Sequence, residues 1–159
     1  MSDRAREGLF SSLGPTVEGA RVLDLFAGSG AIGIEALSRG AESALFVDSA
    51  PGAIKAIDEN LRRTKMVRRG RARRLDALRA VRDRPGPFDL VVLDPPYRLD
   101  RPYLEALLAE IAGQGVVEPG GRVVLSRSTR TYMPVIPLNW RLERRLSYGD
   151  SVVLILRIP

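Results

Sequence analysis

Two short stretches carry residue types that could do chemistry. The first is Asp24-Leu25-Phe26-Ala27-Gly28-Ser29-Gly30, followed by Gly33. Gly28 and Gly30 permit a tight turn and let backbone N–H groups approach a ligand, and Gly33 lets a following helix sit close to its strand. A strand, a glycine turn and a helix N-terminus make a nucleotide-type site. A glycine turn alone is often only a turn, but here Asp24 precedes it inside an apolar run, where a carboxylate is costly unless something uses it. The second stretch is Asp94-Pro95-Pro96-Tyr97. Two prolines fix a rigid extended turn without N–H groups. The carboxylate and the Pro95 carbonyl are acceptors, and Tyr97 offers a flat ring. Acceptors beside an aromatic plate suit the exocyclic amine of a planar base.

The elements that must position these residues read as alternating strands and helices. Asp3 to Leu13 is expected to be a helix capped by Ser2 or Asp3, ended by Gly14-Pro15. A strand from Val22 to Phe26 leads into the glycine turn and a helix from Ala31 to about Arg39. Ser43 to Val47 is a second strand, and Pro51 to about Thr64 a helix with Ile54, Ile57 and Leu61 on one face. Ala72 to Leu75, Phe88 to Leu93 and Arg122 to Leu125 are three further strands. Short helices run to about Arg82 and from Tyr103 to Ile111, and Pro119-Gly120-Gly121 reads as a turn. Arg141 to Leu146 and Ser151 to Ile158 alternate as strands, joined at Tyr148-Gly149-Asp150 as a hairpin. The pattern predicts one α/β domain over residues 1–159, a Rossmann-like, doubly wound, mostly parallel seven-stranded sheet with one antiparallel strand. Asp24, Asp48, Asp76 and Asp94 then line one rim of the sheet. Asp48 lies about 20 residues past the glycine turn, where a ribose-binding carboxylate belongs; it can equally cap the helix that follows.

Composition removes other chemistries. The chain has 159 residues, no cysteine and no histidine. Disulfides, zinc sites, histidine triads and a cysteine nucleophile are excluded, and no metal is expected. Any chemistry that runs through a covalent cysteine adduct is excluded with them. No apolar run suffices for a membrane span and the N-terminus lacks a signal-peptide core, so a cytoplasmic protein is expected. A net charge of +6 suits a phosphate-bearing partner, though an arginine-rich surface would look the same.

The glycine stretch and Asp94-Pro95-Pro96-Tyr97 together resemble S-adenosylmethionine-dependent amino-methyltransferases. Asp3-Arg4-x-Arg6-Glu7-x-x-Phe10, the run Gly33 to Gly40 and Tyr148-Gly149-Asp150 resemble, more narrowly, the RsmD family. Its members methylate the N2 of a guanine in small-subunit ribosomal RNA. The resemblance implies S-adenosyl-L-methionine as cofactor and ribosomal RNA or a small-subunit precursor as partner; a monomer is expected. It implies that Ala27, Gly28, Ser29 and Gly30, next to Phe26, hold the methionine part, with Asp24 by its amine. Asp48, beside Ser49, would bind the ribose, and Asp76 and Ala77 would meet the adenine. Asp94, Pro95, Pro96 and Tyr97 would bind the target base. Three features depart from the family: the basic segment ending Arg-Pro-Thr before Asp3 is absent, Asp48 stands where Glu is commoner, and Ser126-Arg127-Ser128 replaces an acid after the fifth strand. DNA amino-methyltransferases, a cofactor-binding homologue without turnover and a nicotinamide dehydrogenase are the competing readings.

Arginines are expected on two surfaces. Arg98, Arg101, Arg127 and Arg130 follow the fourth and fifth strands and are placed on the active rim as phosphate contacts, with Arg4 and Arg6. The larger cluster from Arg62 to Arg74 falls at the strands' N-terminal edge, away from the chemistry, and reads as a solvated surface or as a remote phosphate contact. Charge reversal at Arg98 and Arg101 is therefore expected to weaken RNA binding more than reversal at Arg71 and Arg73.

Overall fold

A computed structural model describes residues 1–159. Helix α1 (Asp3–Leu13) and a 3-10 turn (Gly14–Val17) precede β1 (Arg21–Leu25), α2 (Ala31–Ser38), β2 (Ser43–Asp48), α3 (Pro51–Arg63) and β3 (Gly70–Arg74). Helix α4 (Ala77–Arg82), β4 (Phe88–Leu93), α5 (Arg101–Gly113), β5 (Val117–Ser128), β6 (Arg141–Tyr148) and β7 (Ser151–Arg157) complete the chain. The seven strands lie in the order β3-β2-β1-β4-β5-β7-β6. Only β7 runs against its neighbours, pairing antiparallel with both β5 and β6. The expected doubly wound sheet is therefore present, with the reversed strand one place in from the edge.

Period-two alternation sorts the buried side chains onto two faces. Val22, Phe46, Leu90, Val92 and Val124 pack under α1, α2 and α3 with Leu9, Phe10, Ile57 and Leu61. Leu23, Leu25, Val91, Leu93 and Leu125 pack under α4 and α5 with Val81, Leu104, Leu107 and Leu108. Central strands buried on both faces need continuous apolar runs, which Leu90 to Leu93 and Val123 to Leu125 supply. Ser2 caps α1 by accepting from the Ala5 N–H at 3.1 Å. The hairpin between β6 and β7 turns through Gly149 and Asp150.

The structure corrects one element. Pro119-Gly120-Gly121 is not a turn before a strand; it lies within β5, which starts at Val117 and runs to Ser128. The register jumps there from Phe88↔Val117 to Leu90↔Arg122. Gly120 N–H donates to Ile158 C=O and Ile158 N–H to Gly121 C=O, both at 2.9 Å, so β7 holds the bulge in the sheet.

The closest packing that bears on the site is between α2 and the sheet. A Cβ on Gly33 would lie 2.3 Å from the Phe46 ring, so only glycine lets α2 rest on β2. Gly33→Ala is predicted to cost about 1–3 kcal/mol in urea unfolding, and Phe46→Leu in the same chain to restore part of it. An unchanged midpoint for Gly33→Ala would contradict this packing.

Candidate active site

Strands β1 and β4 are parallel neighbours, with Leu25 beside Leu93. The turn after Leu25 and the diproline stretch after Leu93 therefore leave the sheet side by side at its C-terminal rim. The chain runs from β1 outward to β2 and β3, then crosses back to β4 on the other side of β1. Such a reversal opens a crevice beyond the strand ends.

Asp24 is buried at 1% exposure. Helix α2 begins at Gly30, which has no side chain to cap it. The Asp24 carboxylate does so from the neighbouring strand, accepting the Gly33 N–H at 3.1 Å. Burial pushes its pKa up to about 7; the Gly33 bond opposes the shift, and the nearby Asp94 and Asp48 carboxylates add to it. Three acids thus face one another around the turn. A cation placed among them relieves both burial and repulsion.

Asp48 ties the turn to β2. One carboxylate oxygen accepts the Gly28 N–H and the other the Ala50 N–H, each at 2.9 Å. Ala27 N–H donates to Val47 C=O at 3.0 Å, and the Asn60 amide donates to Ser29 C=O at 2.9 Å. Asp48 thus braces the approach to α3, as the sequence allowed, and each oxygen keeps a free lone pair. Gly28 has φ +58 and open space where a Cβ would stand. Phe26 also has positive φ, 59°, a strained conformation for an aromatic residue.

A cavity of about 220 Å³ adjoins this turn, lined by Phe26, Asp48, Ser49, Asp76, Ala77 and Pro96. Five of the residues expected at the cofactor, and one expected at the base, thus share one wall-to-wall space. Asp24, Gly28, Ser29, Gly30, Asp94, Pro95 and Tyr97 lie outside its lining. Four hollows are larger: those of about 300 and 490 Å³ lie at the opposite end of the sheet and hold none of these residues, and of two of about 400 Å³ one is lined by Ser29 and Arg6. Size does not select the site; the convergence of loops at the strands' C-terminal ends does.

Sequence reasoning missed Tyr103 and Leu99, which also line the cavity. The Tyr103 hydroxyl donates to Asp76 at 2.5 Å and accepts the Leu78 N–H at 3.0 Å. Burial and the Asp76 bond push its pKa up to about 12, so it stays a phenol. Asp76 also caps α4, accepting the Arg79 N–H at 3.4 Å. Nothing in local sequence marks Tyr103; it reaches Asp76 only because α5 folds back beside α4.

Asp94 is half-buried, and its carboxylate accepts from the Met1 ammonium at 2.5 Å. Pro95 is buried, whereas Tyr97 is 64% exposed and leaves its ring face open beside the rim. The segment after β5 braces this shelf. Thr131 hydroxyl donates to Tyr97 C=O at 3.4 Å and Tyr132 hydroxyl to Leu99 C=O at 2.5 Å.

The arginines depart from expectation. Arg127 is not a surface phosphate contact: it is 2% exposed. Its guanidinium stacks on Tyr132 at 4.6 Å and donates to Tyr132 C=O and Thr131 Oγ1. The reason is that β5 continues past Leu125, so Arg127 points inward toward the α5 face. Arg101 pairs with Glu105, Arg130 with Asp150, and Arg6 with Asp3 and Glu35. Arg4 lies over the Tyr148 ring. Arg98 is exposed and makes no ion pair.

Comparison with known proteins places this geometry. The family model described as "Conserved hypothetical protein 95" matches residues 1–157. The chain belongs to that family, the RsmD family. The chain is similar to YlbH of Bacillus subtilis, 36% identical over 98% of this chain and 85% of the relative. It is 32% identical to ribosomal RNA small subunit methyltransferase D of Escherichia coli, over 94% of this chain and 74% of that protein. Among solved structures, yhhF of Escherichia coli superposes with a TM-score of 0.91 at 30% identity, covering 99% of this chain and 87% of that one. A conserved hypothetical protein of Streptococcus pyogenes gives 0.87 at 33% identity, covering 97% of this chain and 95% of that one. The fold is that of class I methyltransferases.

The raised Asp24 pKa fixes a sign. Its contribution to stability is fully present below the ordinary value of 3.8 and is lost as pH rises through about 7. Asp24→Asn keeps an acceptor for Gly33 and removes the titration. Relative to the unaltered chain, this variant is predicted to gain about 1–4 kcal/mol between pH 5 and pH 8 in denaturant unfolding. Parallel curves for the two proteins would contradict it.

Proposed function

We propose that this chain uses S-adenosylmethionine to methylate the exocyclic N2 amine of a guanine in small-subunit ribosomal RNA, in the cytoplasm. The observation that carries the reading is the adjacency of the Asp48-braced glycine turn and the Asp94-Pro95-Pro96-Tyr97 shelf at one rim, with a cavity bounded by residues of both sides. Membership of the RsmD family and the name of the Escherichia coli relative support ribosomal RNA as substrate.

The residues present fit the cofactor. Open space at Gly28, the Phe26-to-Ala77 cavity and a buried acid able to face a cation are what its methionine, adenosine and charge require. Gly28, Ser29 and Asp24 would hold the methionine end, Asp48 and Ser49 the ribose, and Asp76 and Ala77 the base. S-adenosylmethionine supplies a methyl already activated on a sulfonium. The protein's work is then mainly alignment.

Tyr97 would stack the target base, which has to leave its own stack to reach the shelf. Asp94 and the Pro95 carbonyl are the acceptors for its N–H groups; Asp94 already accepts from the Met1 ammonium. Two acceptors on a guanine amine draw its hydrogens out of the ring plane, toward tetrahedral geometry. The nitrogen lone pair, otherwise delocalised into the ring, is then freed toward the donor. The proton lost on transfer passes to Asp94 Oδ2 or to water. Buried Pro95 keeps the acceptors rigid.

Incubation with tritiated methyl donor and small-subunit ribosomal RNA, or the assembled subunit, is expected to label guanine N2. Asp94→Ala is predicted to lower transfer by about 10²–10⁴-fold at saturating cofactor. Tyr97→Phe retains most activity and Tyr97→Ala does not. Label appearing in DNA adenine or cytosine, or cofactor binding without transfer to either RNA substrate, would overturn the reading.

A further inference from the structure

The densest run of unneutralised positive charge in this protein is not at the rim that carries the site, where Arg98 is exposed and unpaired. Between Arg62 and Arg74 the sequence holds no carboxylate, and none of the cations there makes an ion pair. At the active rim, by contrast, Arg6, Arg101 and Arg130 are paired and Arg127 is buried.

The free cations border a formed hollow. Helix α4 spans only Ala77–Arg82, and the loop Pro85-Gly86-Pro87, not a helix, flanks the N-terminal halves of β2 and β3. The result is a cleft of about 490 Å³ with half-buried Leu45 in its lining and Arg68, Arg71 and Arg73 along it. Two further arginines fix its walls and are not available to a ligand in the same way. Arg69 donates to Leu37 C=O and Ala41 C=O at 3.1 and 2.8 Å. Arg21 is held by Asp89 and Glu118. Arginines on an edge strand also serve to block strand pairing, but that duty needs neither a hollow nor the exposed Arg68 outside the strand.

We propose that this cleft is a second RNA contact, gripping the phosphate backbone of the same folded RNA whose target base lies at the Asp94 shelf. The inference rests on the reading of the chain as an RNA methyltransferase. Arg68, Arg71 and Arg73 contact phosphates, and the apolar lining with its two prolines meets sugar and base surfaces. Arg71 and the cavity residue Asp76 are separated by five residues, roughly 16 Å of extended chain, so one structured RNA segment can engage both ends. This reverses the order expected from sequence: the Arg71 and Arg73 region, not Arg98 and Arg101, dominates RNA affinity.

The test compares R68Q/R71Q/R73Q with R141Q/R144Q/R145Q, an equal charge change among exposed arginines of β6, in filter binding to small-subunit ribosomal RNA from 50 to 300 mM salt. The cleft variant is expected to bind at least ~10-fold more weakly near physiological salt, with a salt slope smaller by about 2, and to lose activity through KM. The β6 variant stays near the unaltered chain, and R68K/R71K/R73K recovers most of the affinity. S-adenosylmethionine binding, measured in parallel, reports that each variant is folded. Cleft and β6 variants that weaken binding equally, or a cleft variant within twofold of the unaltered chain, would overturn the proposal. Methyl transfer by the unaltered chain is read separately: its failure sinks the enzymatic reading, while the variant comparison still judges the cleft.

Discussion

One hydrogen bond sets the geometry of the rim: the buried Asp24 carboxylate accepting the Gly33 N–H. It lets α2 start after a glycine with no cap of its own, so Gly30 can stay bare of a side chain. It also keeps an acid where burial and two neighbouring carboxylates make its charge costly. A lone structural cap would be served as well by a neutral acceptor. The cost makes sense if a cation completes the set, because a charge arriving among three acids gains from all of them at once.

The remainder of the fold serves to bring a second loop to that place. Running β1, β2 and β3 outward and then returning to β4 opens the crevice, and β1 beside β4 makes the glycine turn and the diproline shelf neighbours. The antiparallel β7 adds length to β5 on its other side, and the segment after β5 returns to brace Tyr97 and Leu99 through Thr131 and Tyr132. The shelf is therefore held from both sides, by its own prolines and by the neighbouring strand's exit loop. Tyr97 is the exception, left exposed where a flat ring could be received.

Most of this was legible in the residues. Apolar runs ending in Asp48 and in Asp94 announced parallel strands and the rim on which their acids stand, and Gly33 announced the close packing of α2. What was not legible depended on contacts distant in sequence. Pro119-Gly120-Gly121 carries every local sign of a turn, and only its bonds to Ile158, just past β7, make it a bulge. Arg127 looked like a rim cation because β5 was expected to stop at Leu125; three more strand residues turn it inward onto Tyr132. Tyr103 has no local signature and finds Asp76 through the packing of α5 on α4. The basic run from Arg62 was visible, but its cleft was not, since that hollow exists only because α4 is short.

The central claim is that the acids around the glycine turn receive a cationic methyl donor. Calorimetric titration of S-adenosylmethionine at pH 6 and pH 8, in buffers of different ionisation enthalpy, tests it most directly. The account predicts binding that releases protons at pH 6 as Asp24 ionises beside the ligand, with a smaller release at pH 8 and a diminished release in Asp24→Asn. No binding at either pH, or the same proton release with and without the Asp24 carboxylate, would contradict it.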